Sequence, residues 1–277
     1  MKELRIILNK SNNQPIGFFD SGVGGVTVFD QVKKLLPYEN YLYFGDTKHM
    51  PYGEKSEKEL LKYADEIFRF LEYQGAKAVI MACNTTSAVV YEKLKNNYNF
   101  EIYPIIQSVS KLLAHLPIKR IGILATPATI NSHCYAKEIA KHNKEIEVYE
   151  ICCPQWVKIV EEGRENDENS KIAIAQKLDE IMTFKPEKIV LGCTHYPYLE
   201  NVIEKFLPLN MFINPALPFA EFIKSDLERK ELLNHENIEP YEKFFVSAAP
   251  QNFIKAASMF YNVKNLPELI DFSHSKV

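Results

Sequence analysis

Residues 79–86 read VIMACNTT, and residues 189–195 read IVLGCTH. Each is a short, continuous apolar run, the pattern of a strand buried on both faces. Each ends on a cysteine, Cys83 or Cys193, followed by small polar residues. A second pair of runs precedes them, IGFFDS (16–21) and IGILAT (121–126). From Ile16 to Ile121 is 105 residues, and from Cys83 to Cys193 is 110, so the two spacings agree within a loop's length. Look-alike strands occur in any α/β chain, and that reading stays open here. The sharper expectation is an internal repeat: two similar α/β domains, each presenting a cysteine at the carboxyl end of a strand, where open α/β sheets bind ligands. Facing one another, they would put one cysteine on each side of a cleft.

Outward from these runs, strands alternate with helical stretches, which implies βαβ units and parallel sheets. Strands are expected at 16–19, 40–44, 78–82, 102–106, 121–125, 147–151, 188–191, 211–214 and 244–247. Helices are expected over 23–36, 56–74, 84–96, 129–143, 154–162 and 172–184, and from Pro197, Pro218 and Pro250. Ser56 and Glu59 make a capping box, and Gly75 stops that helix. GRENDENS (163–170) reads as a solvated loop. The expected division is 15–106 with 218–277 as one discontinuous domain, and 107–217 as the other.

Composition narrows the class. A chain of 277 residues favours two domains. With 33 Lys+Arg against 36 Asp+Glu, net charge −3, it lacks the basic footprint of a nucleic-acid binder. No run of 18 or more apolar residues exists, so no membrane-spanning helix is expected. The segment MKELRIILNKSNNQ (1–14) has too short an apolar run for a secretory signal. Five cysteines, with Cys152 and Cys153 adjacent, do not make a disulfide framework and point to a reducing cytoplasm. No C-x-x-C pair is present, and Cys193-Thr194-His195 is too tightly spaced for the usual zinc pattern, so no metal is expected.

The chemistry concentrates at four places. Cys83 precedes Asn84, Thr85 and Thr86 at a helix start, where backbone N–H groups favour anions and lower a thiol's pKa. Cys193 has His195 two residues on, and an imidazole there can take a thiol proton or stabilise a thiolate. Catalysis by a single cysteine would leave the other cysteine loop unexplained. Cys134, Cys152 and Cys153 lack such neighbours and read as structural. DSGVGG (20–25) looks like a dinucleotide fingerprint with Asp46 at a suitable distance, but Thr27 stands where the last glycine belongs, and Asp20 would repel a pyrophosphate. A small-anion site for one carboxylate, with Asp20 handling protons, fits better; an ordinary tight turn is the bland alternative. Pro51-Tyr52-Gly53 lies in a loop after a strand, suited either to binding or to simple turn chemistry. His49, His115, His133 and His142 read as surface residues, and Trp156 as packing.

Taken together, IGFFDSGVGG (16–25), FGDTKHMPYG (44–53), ACNTTSA (82–88), ATPATINS (125–132), CPQWVKIVE (153–161) and LGCTHYPYL (191–199) resemble the glutamate racemases of the cofactor-independent Asp/Glu racemase superfamily, over residues 15 to about 260. Aspartate and hydantoin racemases share the paired cysteines but usually lack DSGVGG and the histidine after GCT. The departures are Ala128, where glycine is common, and Lys158, where proline is common. The resemblance implies that Cys83 and Cys193 are the two acid–base groups, acting on the D- and the L-enantiomer respectively. Asp20 would assist Cys83, and His195 with Glu161 would assist Cys193. Ser21, Pro51, Tyr52, Gly53, Asn84, Thr85, Thr126, Thr129 and Thr194, with Asp20, both cysteines and His195, would surround the substrate. It further implies a cleft between pseudo-twofold-related domains, no pyridoxal phosphate or other cofactor, D-glutamate made for peptidoglycan, and a homodimer. An aspartate racemase, or a glutamate-binding or protein-binding module without catalysis, stands as the alternative.

Overall fold

In the computed structural model, which describes residues 12–235 and 239–272, the strands are β1 (Ile16–Asp20), β2 (Tyr41–Gly45), β3 (Ala78–Met81), β4 (Glu101–Pro104), β5 (Arg120–Ala125), β6 (Glu147–Cys152), β7 (Lys188–Gly192), β8 (Phe212–Ile213), β9 (Glu242–Val246) and β10 (Glu268–Leu269). They form one sheet in the order β10-β9-β2-β1-β3-β4 and a second in the order β6-β5-β7-β8. Adjacent strands pair in parallel throughout. β1, β2 and β3 are buried along their whole length, as strands covered by helices on both faces must be.

The repeat read from the sequence is present in the topology. β2-β1-β3-β4 in one sheet has β6-β5-β7-β8 as its counterpart in the other. Register repeats too: Ile16 pairs with Ala78, and Ile121 with Lys188. Pairing draws residues 16–104 and 242–269 into one sheet and 120–213 into the other. On that basis we propose the domain division at 106/107 and 217/218; its residues 236–238 and 273–277 lie outside the described part, as do residues 1–11 of the N-terminal segment. The largest buried apolar cluster takes in Ile16 and Phe18 from one half and Ile121, Ile123 and Tyr135 from the other. The halves are joined through helix Ile105–Leu113, which packs on both Cys134–His142 and Ala216–Arg229.

Several boundaries differ from expectation. The extended run ends at Pro104, and Ile105 and Ile106 open a helix. Ile105, Ile106, Val109 and Leu113 are buried on one side of it, but an apolar start hides the helical period. The helix expected over 84–96 breaks at Val90 into Asn84–Val89 and Tyr91–Leu94. That over 129–143 breaks at His133, which is left-handed at φ 53°, into Pro127–Ser132 and Cys134–His142. From Tyr196 the chain makes a 3-10 turn, Tyr196–Leu199, before the short helix Glu200–Ile203. Helix Glu168–Met182 begins inside the stretch read as a solvated loop, and Ser170 is buried. The two-residue β10 was not foreseen; both its residues are exposed, so it lacks an apolar signature. The capping box at Ser56 and Glu59 formed as read.

Candidate active site

The functional candidates lie at the carboxyl ends of the paired central strands. Asp20 ends β1 and Cys83 follows β3 beside it; Thr126 follows β5 and Cys193 follows β7. Because the sheets repeat one another, the two cysteines hold equivalent positions.

Cys83 stands at the N-cap position of the helix Asn84–Val89, without a side-chain capping bond. Its Sγ donates to Ser21 Oγ at 3.8 Å. The sequence suggested that helix N–H groups would lower this thiol's pKa. The structure reverses that: burial, joined by the negative charge of Asp20, pushes Cys83 up to about 12, against the Thr86 N–H and hydroxyl. The helix is only six residues long, so its end carries little field to oppose desolvation.

Asp20 is fully buried and accepts from Gly22 N at 3.0 Å and from Thr194 Oγ1 at 3.2 Å. Burial raises it to about 6, with His195 and the Gly22 and Gly25 N–H groups pulling the other way. The Thr194 bond crosses from one sheet's loops to the other's. Cys193 Sγ lies 3.8 Å from His195 Nδ1, and His195 Nε2 lies 2.5 Å from Glu161 Oε1. Burial alone would lower the imidazole's pKa; its bonds to Cys193 and Glu161 prevail and hold it well above the ordinary value. Glu161 arrives from the end of helix Trp156–Glu161.

A hydroxyl cluster closes the site. Thr85 Oγ1 is 2.9 Å from Thr126 Oγ1, which is 3.0 Å from Thr129 Oγ1, with Thr85 to Thr129 at 3.4 Å. Next to it, Asn84 is buried, and its Nδ2 has no hydrogen-bond partner among the described residues. Glycine is needed where side chains of the second half press on loops of the first. A Cβ on Gly24 would come within 2.4 Å of Thr194 Oγ1, and one on Gly53 within 2.8 Å of Thr126 Cβ. The DSGVGG turn therefore packs against the second cysteine loop and is not open to a pyrophosphate. Pro51, half-buried, follows a cis Met50–Pro51 bond. Tyr52 is buried, and its hydroxyl donates to Asp46.

Sequence reasoning missed part of this framework. Asp46 is buried and accepts from Ser247 Oγ at 2.6 Å as well as from Tyr52. His49, read as a surface residue, is half-buried: its Nδ1 is 2.9 Å from both Asp46 oxygens, and its ring stacks on Tyr63 at 4.0 Å. Tyr43 donates to Gly22 O at 2.9 Å, and Tyr135 to Asn84 Oδ1 at 2.7 Å. The DxxH spacing in Asp46-Thr47-Lys48-His49 could have signalled the first pair; nothing local marks the tyrosines. His115, His133 and His142 are exposed, and Trp156 packs edge-on against Tyr196 at 4.9 Å. Cys134 and Cys153 are buried and Cys152 half-buried, and all five cysteines are free.

Two clefts flank Glu161. One, about 770 Å³, is lined by Val23, Met50, Tyr198 and Phe253; the other, about 620 Å³, by Met50, Pro51, Val157 and Lys158. Cys83 and Cys193 line neither, being 4% and 7% exposed. Both sulfurs are therefore buried away from these two clefts, while Met50 and Glu161 line both of them. Among the described residues no group of three His, Cys, Asp or Glu side chains is placed to hold a metal ion, and no helix is long and apolar enough to cross a membrane.

The chain was compared with known proteins. Residues 28–216 match the family model for Asp/Glu/Hydantoin racemase. The glutamate racemase of Thermoanaerobacter pseudethanolicus is 40% identical over 255 residues, 91% of this chain and 95% of that one. Among solved structures, the glutamate racemase of Francisella tularensis in complex with D-glutamate superposes with a TM-score of 0.88 at 34% identity, covering 95% of this chain and 99% of that one. The glutamate racemase of Thermus thermophilus in complex with beta-chloro-D-alanine gives 0.80 at 31% identity, covering 95% and 97%. On its sequence, its fold and its length, this chain belongs to the Asp/Glu/Hydantoin racemase family.

Proposed function

We propose that this chain interconverts L- and D-glutamate without a cofactor, using Cys83 and Cys193 on opposite faces of the substrate's Cα. The observation that carries the reading is the pairing itself. Each cysteine sits at the same position of a repeated sheet, and each has its own polar helper, Ser21 with Asp20 nearby for Cys83, and His195 with Glu161 for Cys193. The glutamate specificity rests on the relatives, one of which holds D-glutamate in its structure.

Two enantiomers have equal free energy in water, so the enzyme must remove a hydrogen from one face and return one to the other equally well. Two opposed groups do this while the substrate stays still. In the L-to-D direction, Cys193 as thiolate takes the Cα proton, and Cys83 as thiol gives its own to the opposite face. The step leaves Cys193 protonated and Cys83 as thiolate, ready for the reverse. Burial and Asp20 keep Cys83 as a thiol at neutral pH, which suits the L-to-D step. His195, beside Cys193, is placed to take up and return that thiol's proton.

The Cα–H is a very weak acid, so the carbanion needs positioned donors in a dry site. Asn84 Nδ2 and the hydroxyls of Thr85, Thr126 and Thr129 supply them. Ser21, Thr194 and the 51–53 backbone complete the cradle. The substrate's ammonium offsets the Asp20 charge, which eases ionisation of Cys83 when the reaction runs from D-glutamate. In a bacterial cytoplasm the product would feed peptidoglycan synthesis, with the protein acting as a homodimer.

The test is optical. L-Glutamate incubated with the purified chain and no added cofactor should lose its circular dichroism signal, and in D2O deuterium should enter Cα. An undiminished signal from L-glutamate would contradict the proposal, and faster loss from L-aspartate in parallel would reassign the substrate.

A further inference from the structure

We propose that Tyr135 is a positioning residue that ties the two cysteine loops together and fixes Asn84 as a donor; the inference rests on the function proposed above. Tyr135 lies on helix Cys134–His142, in the half that carries Cys193, and is fully buried. Its hydroxyl donates to Asn84 Oδ1 at 2.7 Å, and Asn84 directly follows Cys83. Its ring lies against Gly192, which directly precedes Cys193: a Cβ built on Gly192 would stand 3.2 Å from Tyr135 Cε2. One rigid side chain therefore spans from the loop of one cysteine to the loop of the other.

The hydroxyl also decides which way the amide faces. An amide offers an acceptor on one side and two donors on the other. Burial holds the Tyr135 pKa far above its ordinary value, so the group keeps the proton that it donates to Asn84 Oδ1. With Oδ1 taken by Tyr135, Asn84 turns Nδ2 the other way, and that nitrogen is the one with no partner among the described residues. An N–H pair aimed there attracts a carboxylate; a flipped amide would present an oxygen and repel it. Tyr135 touches neither the substrate nor the sulfurs in this account. It acts through Asn84 and through the spacing of the loops.

The experiment compares the full-length chain with its Tyr135→Phe variant, which keeps the ring and removes the hydroxyl. Loss of one buried hydrogen bond predicts a KM for glutamate raised about fivefold, with kcat changed less than twofold. Mere loosening of the fold would lower the active fraction and hence kcat, leaving KM alone. In an Asn84→Ala background, Tyr135→Phe should have no further effect on KM. An unchanged KM in Tyr135→Phe, or an undiminished effect in the Asn84→Ala background, would overturn the inference. D-Glutamate binding by calorimetry separates it from the proposed function. A parent chain that binds D-glutamate but does not racemise it ends the racemase reading; weaker binding by Tyr135→Phe would still support the part given to Tyr135, and equal binding would overturn it.

Discussion

Replacing Asp20 by asparagine should stabilise the protein at neutral pH while removing its activity. Asp20 is fully buried, and burial raises its carboxyl from 3.8 to about 6. Below pH 3.8 the group is protonated in both states and contributes no difference. Between there and about 6 the unfolded chain ionises while the native one holds its proton, so stability falls as pH rises. At about 1.4 kcal/mol per pH unit, the loss reaches about 3 kcal/mol above the native pKa. Asparagine mimics the neutral acid and does not titrate. It keeps one acceptor oxygen, and its NH2 must face either Gly22 N–H or the Thr194 hydroxyl, which costs about 1 kcal/mol at every pH. The Asp20→Asn variant should therefore be about 2 kcal/mol more stable than the parent at about pH 8 and about 1 kcal/mol less stable at about pH 3. Urea unfolding reads this directly, because Trp156 is the only tryptophan and is buried. A stability difference that is the same at both pH values would refute the assignment of Asp20 as a buried carboxyl kept in the fold at a cost.

Other consequences follow from the same geometry. Cys83→Ala and Cys193→Ala should each lower racemisation by about a thousandfold, in the middle of the range that one acid–base group contributes, and near-parental turnover in either would remove that cysteine from the mechanism. Glu161→Gln removes a partner that raises the His195 pKa and so favours its cation. The stabilising effect of that cation is present at low pH and is lost as pH rises through the raised His195 pKa, so the alkaline limb of kcat/KM should move to lower pH; an unmoved limb would detach Glu161 from His195. In Gly53→Ala, the new Cβ would meet the branch point of Thr126 at 2.8 Å, where no flexible end can give way. Turnover should fall at least about tenfold as the threonine cluster shifts by a fraction of an ångström, and full activity would show that the 51–53 loop can move off without harm.

How much was legible in the sequence depended on whether a signal was local. The cysteine strands, the IG strands and the capping box at Ser56 are local patterns, and they formed as read. The spacing between them was enough to foresee a repeated sheet. Helix Ile105–Leu113 escaped because its first residues are apolar without a period, and β10 because its pairing with β9 comes from the sheet edge and not from its own two exposed residues. The pKa of Cys83 was misjudged because sequence shows the helix N–H groups beside it but not its burial or the approach of Asp20 from a strand more than sixty residues away. Tyr135, Tyr43 and Ser247 act across the fold, at separations of 51, 21 and 201 residues from their partners, and carry no pattern of their own.

The central claim concerns two sulfur atoms and one carbon. A crystal structure of the chain with D-glutamate bound measures it most directly. The account predicts Cys83 Sγ and Cys193 Sγ on opposite sides of Cα, each within about 3.5 Å of it, the range of a near-attack arrangement. A complex with either sulfur out of contact with Cα, or with both on the same face, would contradict it.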